Sequence, residues 1–121
     1  MPGYNQGMTD VIYKICDADE WRLAEEAGEF AGAAIDLTDG FIHFSSAAQV
    51  AETAAKHFSG RENLVLVTVK TEPLGDALKW EPSRGGDLFP HLYNVLRMEA
   101  VSRVEPLNLD SQGHHVFPDL A

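Results

Sequence analysis

The segment Leu64–Lys70, LVLVTVK, constrains the fold most, because it is apolar on both faces for most of its length. Such a run predicts a central β-strand that is covered on both sides. Before this segment, strand patterns and helix patterns alternate along the chain, whereas the segments after it are mostly strand-like. Early helices followed by strands without crossover connections predict an α+β fold with a largely antiparallel sheet.

The first predicted strand is VIYKIC, residues 11–16, whose alternation puts Val11, Tyr13 and Ile15 on one face. Asp17 is a typical helix cap, and Glu20 three residues later predicts a capping box. Gly28 is the expected end of this first helix. Residues 29–38 are predicted to form a loop, with a short strand as the alternative.

The next predicted strand is Phe41–Phe44, which follows a turn signal at Asp39 and Gly40. Ser46 and Gln49 repeat the capping-box pattern and predict a second helix over residues 47–58. The expected packing face of this helix is a narrow, alanine-rich stripe of Ala47, Val50, Ala51, Ala54 and Phe58.

The second half of the chain predicts a short strand at Leu78–Glu81 and a flexible loop over the EPSRGGD segment. A late strand is expected within Met98–Leu107. Residues 1–10 are predicted to be a flexible tail, and residues 11–121 to form a single globular domain.

The charge balance excludes some classes of partner. The chain has 19 acidic and 9 basic residues among 121, and its formal net charge is −10. This charge repels a phosphate backbone, so nucleic acid is not an expected partner. No apolar run approaches the roughly 20 residues of a membrane span, and the N-terminus lacks a signal-peptide pattern, so we expect a cytoplasmic protein. The five histidines show no zinc-binding spacing, so no metal is expected. The oligomeric state is left open.

His43 is the first candidate site residue. On an extended strand, Phe41, His43 and Ser45 share one face. Ser45 and Ser46 lie where the strand leads into a helix, so a hydroxyl and free amides can converge near the imidazole. Such a junction can bind an anionic or polyhydroxylated ligand. The alternative is a core histidine bonded to a backbone carbonyl, with Ser46 acting only as a cap.

A second candidate cluster follows the glycine-rich loop. His91 in the FPHLY block is a candidate binding residue, and we predict that it shares one pocket with His43. Glu81, next to Trp80, is a candidate general base or stabiliser of positive charge. The alternatives are a turn in which Pro90 and Tyr93 only pack, and a glutamate that is simply solvated.

Several blocks, taken in order, resemble a known family over about residues 11–107. They are IYKICDADEW, DGFIHFSS with its alanine-rich helix, LVLVTV, KWE, FPHLY and AVSRVEPL. The family is bacterial and is known as domain of unknown function 952. It is similar in fold to ADP-ribosyltransferases, which hold NAD between two small antiparallel sheets. The resemblance therefore implies an ADP-ribosyltransferase-like fold with two small, mostly antiparallel sheets and two main helices.

The same resemblance implies roles for individual residues and NAD as a substrate. The IHFSS block is similar to the strand-to-helix segment of RNA 2′-phosphotransferases that use NAD. His43 with Ser45 would hold the ribose, Tyr13 or Tyr93 would be the aromatic group, and Glu81 or Glu99 the carboxylate. The expected catalytic residues are Glu81 and His43. The expected cofactor-binding residues are His43, Ser45, Ser46, Tyr13, His91 and Tyr93.

The expected function is an NAD-dependent ADP-ribosyl or related transferase that acts on a protein or small-molecule acceptor. The acidic composition argues against RNA as the acceptor. The alternatives are a non-catalytic module that binds a nucleotide or another metabolite at the His43/His91 cleft, and an interaction protein.

Overall fold

The computed structural model describes residues 10–120, apart from the side chain of residue 84. The predicted tail at residues 1–10 lies outside this range except for Asp10, whose carbonyl accepts a hydrogen bond from Thr71 N–H. The elements, in chain order, are β1 (Val11–Asp17), α1 (Ala18–Ala27), β2 (Glu29–Phe30), α2 (Ala34–Asp39), β3 (Ile42–His43), α3 (Val50–His57), β4 (Leu64–Lys70), β5 (Leu78–Pro82), β6 (Leu88–Leu92), β7 (Leu96–Arg97) and β8 (Val101–Leu107). Short 3₁₀ turns occupy Glu72–Ala77, Arg84–Gly86 and Met98–Ala100.

All strand pairs in the described range are antiparallel, which confirms the predicted α+β class. The first sheet has the order β1-β4-β8, and the second sheet has the order β3-β6-β5. A third sheet has two strands, β2-β7, so residues 10–120 form three sheets where two were expected. The same residues form three α-helices instead of the two main helices that were expected.

The central strand of the first sheet, β4, is buried on both faces for most of its length, as the LVLVTVK segment predicted. Val67 and Val69 in β4 belong to the larger core cluster, which also contains Ile12 of β1. On the opposite face, Leu66 packs with Val50 of α3 in a second cluster. The central position of β4 in the sheet therefore explains why its sequence is apolar at almost every position.

Helix α1 begins and ends where the sequence predicted. The Asp17 carboxylate accepts hydrogen bonds from the N–H groups of Asp19 and Glu20, and these bonds satisfy two amides of the first turn. At the other end, Gly28 has φ of 87°, a left-handed conformation that glycine adopts without a side-chain clash. The ends of this helix therefore follow from local chemistry alone.

The predicted loop at residues 29–38 is wrong in its second half. Glu29–Phe30 form the short strand β2, whereas Ala34–Asp39 form the helix α2. Helix α2 has no apolar packing face, because Ile35 and Leu37 are exposed and its buried residue is Asp36. The segment therefore lacks the hydrophobic periodicity from which an amphipathic helix is predicted.

Helix α3 begins later than predicted, at Val50 instead of residue 47. One half of the predicted capping box is present, because Ser46 N–H donates to the Gln49 side-chain oxygen at 2.9 Å. Residues 47–49 form turns before the regular helix. Val50 and Ala54 are buried as expected, whereas Ala51 of the predicted stripe is exposed.

The second sheet separates an apolar face from a polar one, because successive side chains on a strand alternate between faces. Ile42 of β3 and Leu92 of β6 point into the core, and Trp80 of β5 packs against the same cluster. His43 and His91 lie on the opposite face. Each strand of this sheet therefore has one side against the core, and β3 and β6 each present a histidine on the other side.

The last strand, β8, begins at Val101, and the preceding Met98–Ala100 form a 3₁₀ turn instead of the start of the strand. No helix within residues 10–120 is both long enough and apolar enough to cross a membrane.

Candidate functional site

The antiparallel register of the second sheet pairs His43 of β3 directly with His91 of β6. The ring centroids of the two imidazoles are 5.5 Å apart, and both residues line one cleft of about 830 Å³. Residues far apart in the sequence thus meet because their strands are neighbours. The predicted strand position of His43 and the predicted shared pocket are both confirmed.

The His43 ring lies between two aspartates. Its Nδ1 is 2.6 Å from Asp36 Oδ1, and its Nε2 is 2.9 Å from Asp39 Oδ2. Both contacts are hydrogen bonds only when both ring nitrogens carry a proton, since a carboxylate is an acceptor. His43 therefore has a carboxylate oxygen within hydrogen-bond distance of each ring nitrogen, with about a third of its side chain exposed. The alternative of a histidine bonded to a backbone carbonyl is wrong, because its ring contacts are carboxylates.

Asp36 connects this histidine to the first sheet. Its carboxylate accepts hydrogen bonds from the Lys14 ammonium at 3.0–3.1 Å and from the backbone N–H groups of Ala33 and His43. Burial opposes ionisation of Asp36, but the hydrogen bond from His43 and the charge of Lys14 prevail and lower its pKa to about 2. Asp36 is thus a buried, ionised carboxylate that joins β1, α2 and β3.

His91 has its own carboxylate partner. Its Nδ1 is 2.8 Å from Glu81 Oε1, and the same oxygen accepts a hydrogen bond of 2.8 Å from the Tyr93 hydroxyl. Phe41 stacks on the His91 ring with a centroid distance of 4.1 Å. These hydrogen bonds lower the pKa of Glu81 and raise the pKa of Tyr93. Glu81 is therefore held by two side chains and is not simply solvated.

The predicted residues Ser45 and Tyr13 also line the cleft. Their backbones pair with each other at 2.8 Å, and the Ser45 hydroxyl is 2.9 Å from the Thr53 hydroxyl of α3. Ser46, in contrast, donates its backbone N–H to the Gln49 side chain before α3, and it does not belong to the cleft wall formed by the described residues. Glu81 and Tyr93 lie behind His91, outside the wall itself.

Glu99, the alternative carboxylate, is exposed on the 3₁₀ turn before β8 and does not belong to the described cleft wall. Cys16 is buried, and burial raises the pKa of its thiol to about 12, so it acts as an apolar side chain. Within residues 10–120, no three histidine, cysteine or acidic side chains are arranged to hold a metal ion.

Sequence reasoning missed Lys14, Asp36, Asp39 and Thr53 as parts of the site. A signal for the first two existed, because a lysine in the middle of an apolar strand needs a buried anionic partner. The AIDLTDG segment also has two aspartates just before the histidine strand. Helix α2 brings both carboxylates to His43, and the sequence pattern did not predict this helix.

A family model described as "Protein of unknown function (DUF952)" matches residues 15–104. The chain belongs to this family. The segment that matches the DUF952 model includes both histidines of the cleft and the carboxylates of Asp36, Asp39 and Glu81. Lys14 and Tyr13 lie immediately before it.

Solved structures similar to this DUF952 chain come from protein CC0527 of Caulobacter crescentus. Its crystal structure is 53% identical with a TM-score of 0.84, and the match covers 88% of this chain and 93% of that one. Its solution NMR structure is also 53% identical, with a TM-score of 0.79 and coverage of 88% and 91%. A crystal structure of a double mutant of CC0527 is 52% identical, covers 88% and 93% of the two chains, and has a TM-score of 0.84. No curated protein matches the chain.

Proposed function

We propose that this DUF952 protein binds NAD in the His43/His91 cleft and transfers its ADP-ribosyl group to a protein or small-molecule acceptor. The observation that carries the proposal is the pairing of these two histidines across neighbouring strands, each with a carboxylate behind it. The proposal also includes an ADP-ribosyltransferase type of fold, in which NAD lies between the first and second sheets. It further includes a cytoplasmic location for the protein.

The dimensions and composition of the cleft support a nucleotide-sized ligand. Its volume of about 830 Å³ is within the range of roughly 300–1,000 Å³ that is typical of small-molecule sites. Its wall combines aromatic and apolar side chains with many polar and charged ones, among them Ser45 and the two histidines. Such a mixture buries a ligand while fixing its orientation.

The charges around the histidines support cleavage of a glycosidic bond. When the bond between ribose and nicotinamide breaks, positive charge grows at C1 of the sugar, and nearby negative charge stabilises it. Asp39 contacts His43 and Glu81 contacts His91, so each imidazole is accompanied by a carboxylate. We assign His43 to the ribose, because it lines the cleft together with Ser45 and a ribose hydroxyl can replace the exposed Asp39 carboxylate as the acceptor of its Nε2 proton.

The first test is a thermal-shift assay with NAD, ADP-ribose and nicotinamide, together with an assay of NAD consumption. A ligand at 100 times its dissociation constant stabilises the folded state by about 2.7 kcal/mol. We expect His43→Ala to weaken nucleotide binding by about 0.5–1.5 kcal/mol, because a ribose hydrogen bond is lost. We expect Glu81→Gln to bind normally while turnover falls by about 10²-fold or more, because the charge is lost and the size is kept.

The matched control is Glu26→Gln, the same chemical change at an exposed position on α1. It should behave as the wild type. Binding of NAD without any consumption, in the presence of protein and small-molecule acceptors, would favour the non-catalytic binding module. An unchanged melting temperature with all three ligands, together with equal background rates in all variants, would contradict the proposal.

A further inference from the structure

We infer that His91 is the group that removes the proton from the acceptor in this reaction, and that Glu81 and Tyr93 are positioning residues that act through its ring. The inference rests on the proposed function and adds the identity of the base. It also changes the expected role of Glu81, which the sequence presented as a direct participant.

The contact with Glu81 determines which nitrogen of His91 is free. An ionised carboxylate accepts hydrogen bonds and donates none, so the Nδ1 that lies 2.8 Å from Glu81 must carry the proton. In the neutral ring, Nε2 is then an unprotonated acceptor. No hydrogen bond joins this nitrogen to another residue of the described range, and no buried side-chain nitrogen or oxygen in that range lacks a partner. Nε2 is therefore not sealed from solvent, and His91 lines the cleft.

The His91 ring is held in one orientation. Its side chain is only 6% exposed, and the stacked Phe41 ring covers one of its faces. Tyr93 donates to the same Glu81 oxygen that His91 contacts, so the carboxylate itself is fixed. An imidazole oriented by a carboxylate on one nitrogen, with the other nitrogen open to a ligand, has the geometry of a general base.

His43 cannot take this role in the observed arrangement, although it lies opposite. Asp36 engages its Nδ1 and Asp39 engages its Nε2, so neither nitrogen is open. Of the paired imidazoles, His91 is therefore the one with an available lone pair. The different surroundings of the two rings assign binding to one and proton transfer to the other.

The proposed step is a substitution at C1 of the ribose. A bond forms between the acceptor oxygen and C1 of the ribose, and the bond between C1 and the nicotinamide nitrogen breaks. The electron pair of that bond returns to nicotinamide, which leaves as a neutral ring. The acceptor proton moves to Nε2 of His91, and the resulting imidazolium keeps its Nδ1 hydrogen bond to Glu81. Water is the simplest acceptor and gives ADP-ribose.

One measurement is independent of NAD. Nitrogen-15 NMR of the free protein, with the His91 signals assigned by their loss in His91→Gln, reports the protonation of each ring nitrogen. We expect the neutral His91 ring to be protonated at Nδ1 and bare at Nε2. We also expect Glu81→Gln to shift the signals of both ring nitrogens. A neutral wild-type ring that carries its proton at Nε2 would overturn the inference, whatever the protein does with NAD.

The second measurement is nicotinamide release from NAD with water as the acceptor. We expect His91→Ala to reduce kcat by about 10²–10⁴-fold, which is the usual contribution of a general base. Added imidazole should restore part of the rate by occupying the vacated space. Glu81→Gln should lower kcat without raising KM, and Tyr93→Phe should do the same to a smaller extent. The control is His114→Ala. This variant removes an exposed histidine that does not belong to the described cleft wall, and it should keep the wild-type rate.

The outcomes separate the two proposals. If NAD produces no thermal shift and no nicotinamide is released by the wild type, the proposed function fails and the base role fails with it. If the wild type releases nicotinamide but His91→Ala does so at the same rate, the proposed function stands and the inference is overturned. A loss of rate in His91→Ala that imidazole does not restore, with KM raised in Glu81→Gln, would show a structural role and would also overturn it.

Discussion

At the scale of single residues, the site depends on a buried ion pair that contacts no ligand in our proposal. Lys14 is 7% exposed and the Asp36 side chain 1%, so each charge lacks water and depends on the other. A buried ion pair contributes little to stability compared with an apolar pair, but breaking it leaves an uncompensated charge. In this protein the pair also holds His43, since Asp36 contacts both its ring and its backbone.

We therefore expect Asp36→Asn to lower the free energy of unfolding by about 3–5 kcal/mol, because Lys14 keeps its charge and loses its counter-ion. Urea denaturation measures the change. Asp76→Asn makes the same substitution at an exposed position and should change stability by less than about 0.5 kcal/mol. Equal stabilities of the two variants would show that the buried pair does not hold α2 and β3 in place.

At the scale of secondary structure, helix α2 differs from α1 in what stabilises it. Helix α1 buries Trp21 and Ala24 and has a side-chain cap, which are features that a sequence pattern displays. Helix α2 buries Asp36 instead, and it depends on a close approach of the preceding backbone. Gly32 has φ of 122°, and a Cβ at this position would lie 2.8 Å from the Cβ of Asp36. A glycine is needed there for both reasons.

This packing predicts that Gly32→Ala is more damaging than an alanine at another glycine with positive φ. Gly40 is the matched control, because its φ is 89° and no atom lies within 4 Å of the position of an added Cβ. Gly40→Ala should cost about 1–2 kcal/mol for the left-handed conformation alone. We expect Gly32→Ala to lower the free energy of unfolding, measured by urea denaturation, by at least about 1 kcal/mol more than Gly40→Ala does, since Asp36 must also move. Equal losses would mean that the contact with Asp36 adds nothing.

At the scale of the whole molecule, Asp36 links the stability of the fold to pH. Its pKa is lowered from 3.8 to about 2, so the ionised form is preferred more strongly in the folded state than in the unfolded chain. The corresponding stabilisation is complete above pH 3.8 and is lost as the pH falls through about 2. Its size is about 2 kcal/mol, at 1.36 kcal/mol for each pKa unit. The lowered pKa values of Glu81 and Asp110 act in the same direction.

We expect the free energy of unfolding to fall more steeply between pH 4 and pH 2 for the wild type than for Asp36→Asn, because the variant has no carboxyl group to protonate there. Urea denaturation at a series of pH values measures both slopes. The same series for Asp76→Asn should follow the wild type. Parallel slopes for the wild type and Asp36→Asn would contradict the assigned pKa of Asp36.

Much of the fold follows from local patterns. The apolar run of β4, the alternation of β1 and the capped ends of α1 each depend on residues close together in the chain, so sequence reasoning located them. The same is true of His43 and His91 as candidates, because each is a histidine within an apolar, strand-like block. The α+β class followed from the order of these elements, and the structure confirms it.

The tertiary structure decided which groups meet, because these contacts join elements that are far apart in the chain and do not depend on local propensity. The pairing of His43 with His91 depends on the register of two strands, and that register is set by the burial of Ile42 and Leu92 on the other face. Helix α2 places the Asp36 carboxylate between a buried lysine and a histidine, an interaction between three separate elements. A pattern of apolar residues determines which faces are buried, but the partners of buried polar groups are determined only when the chain has folded.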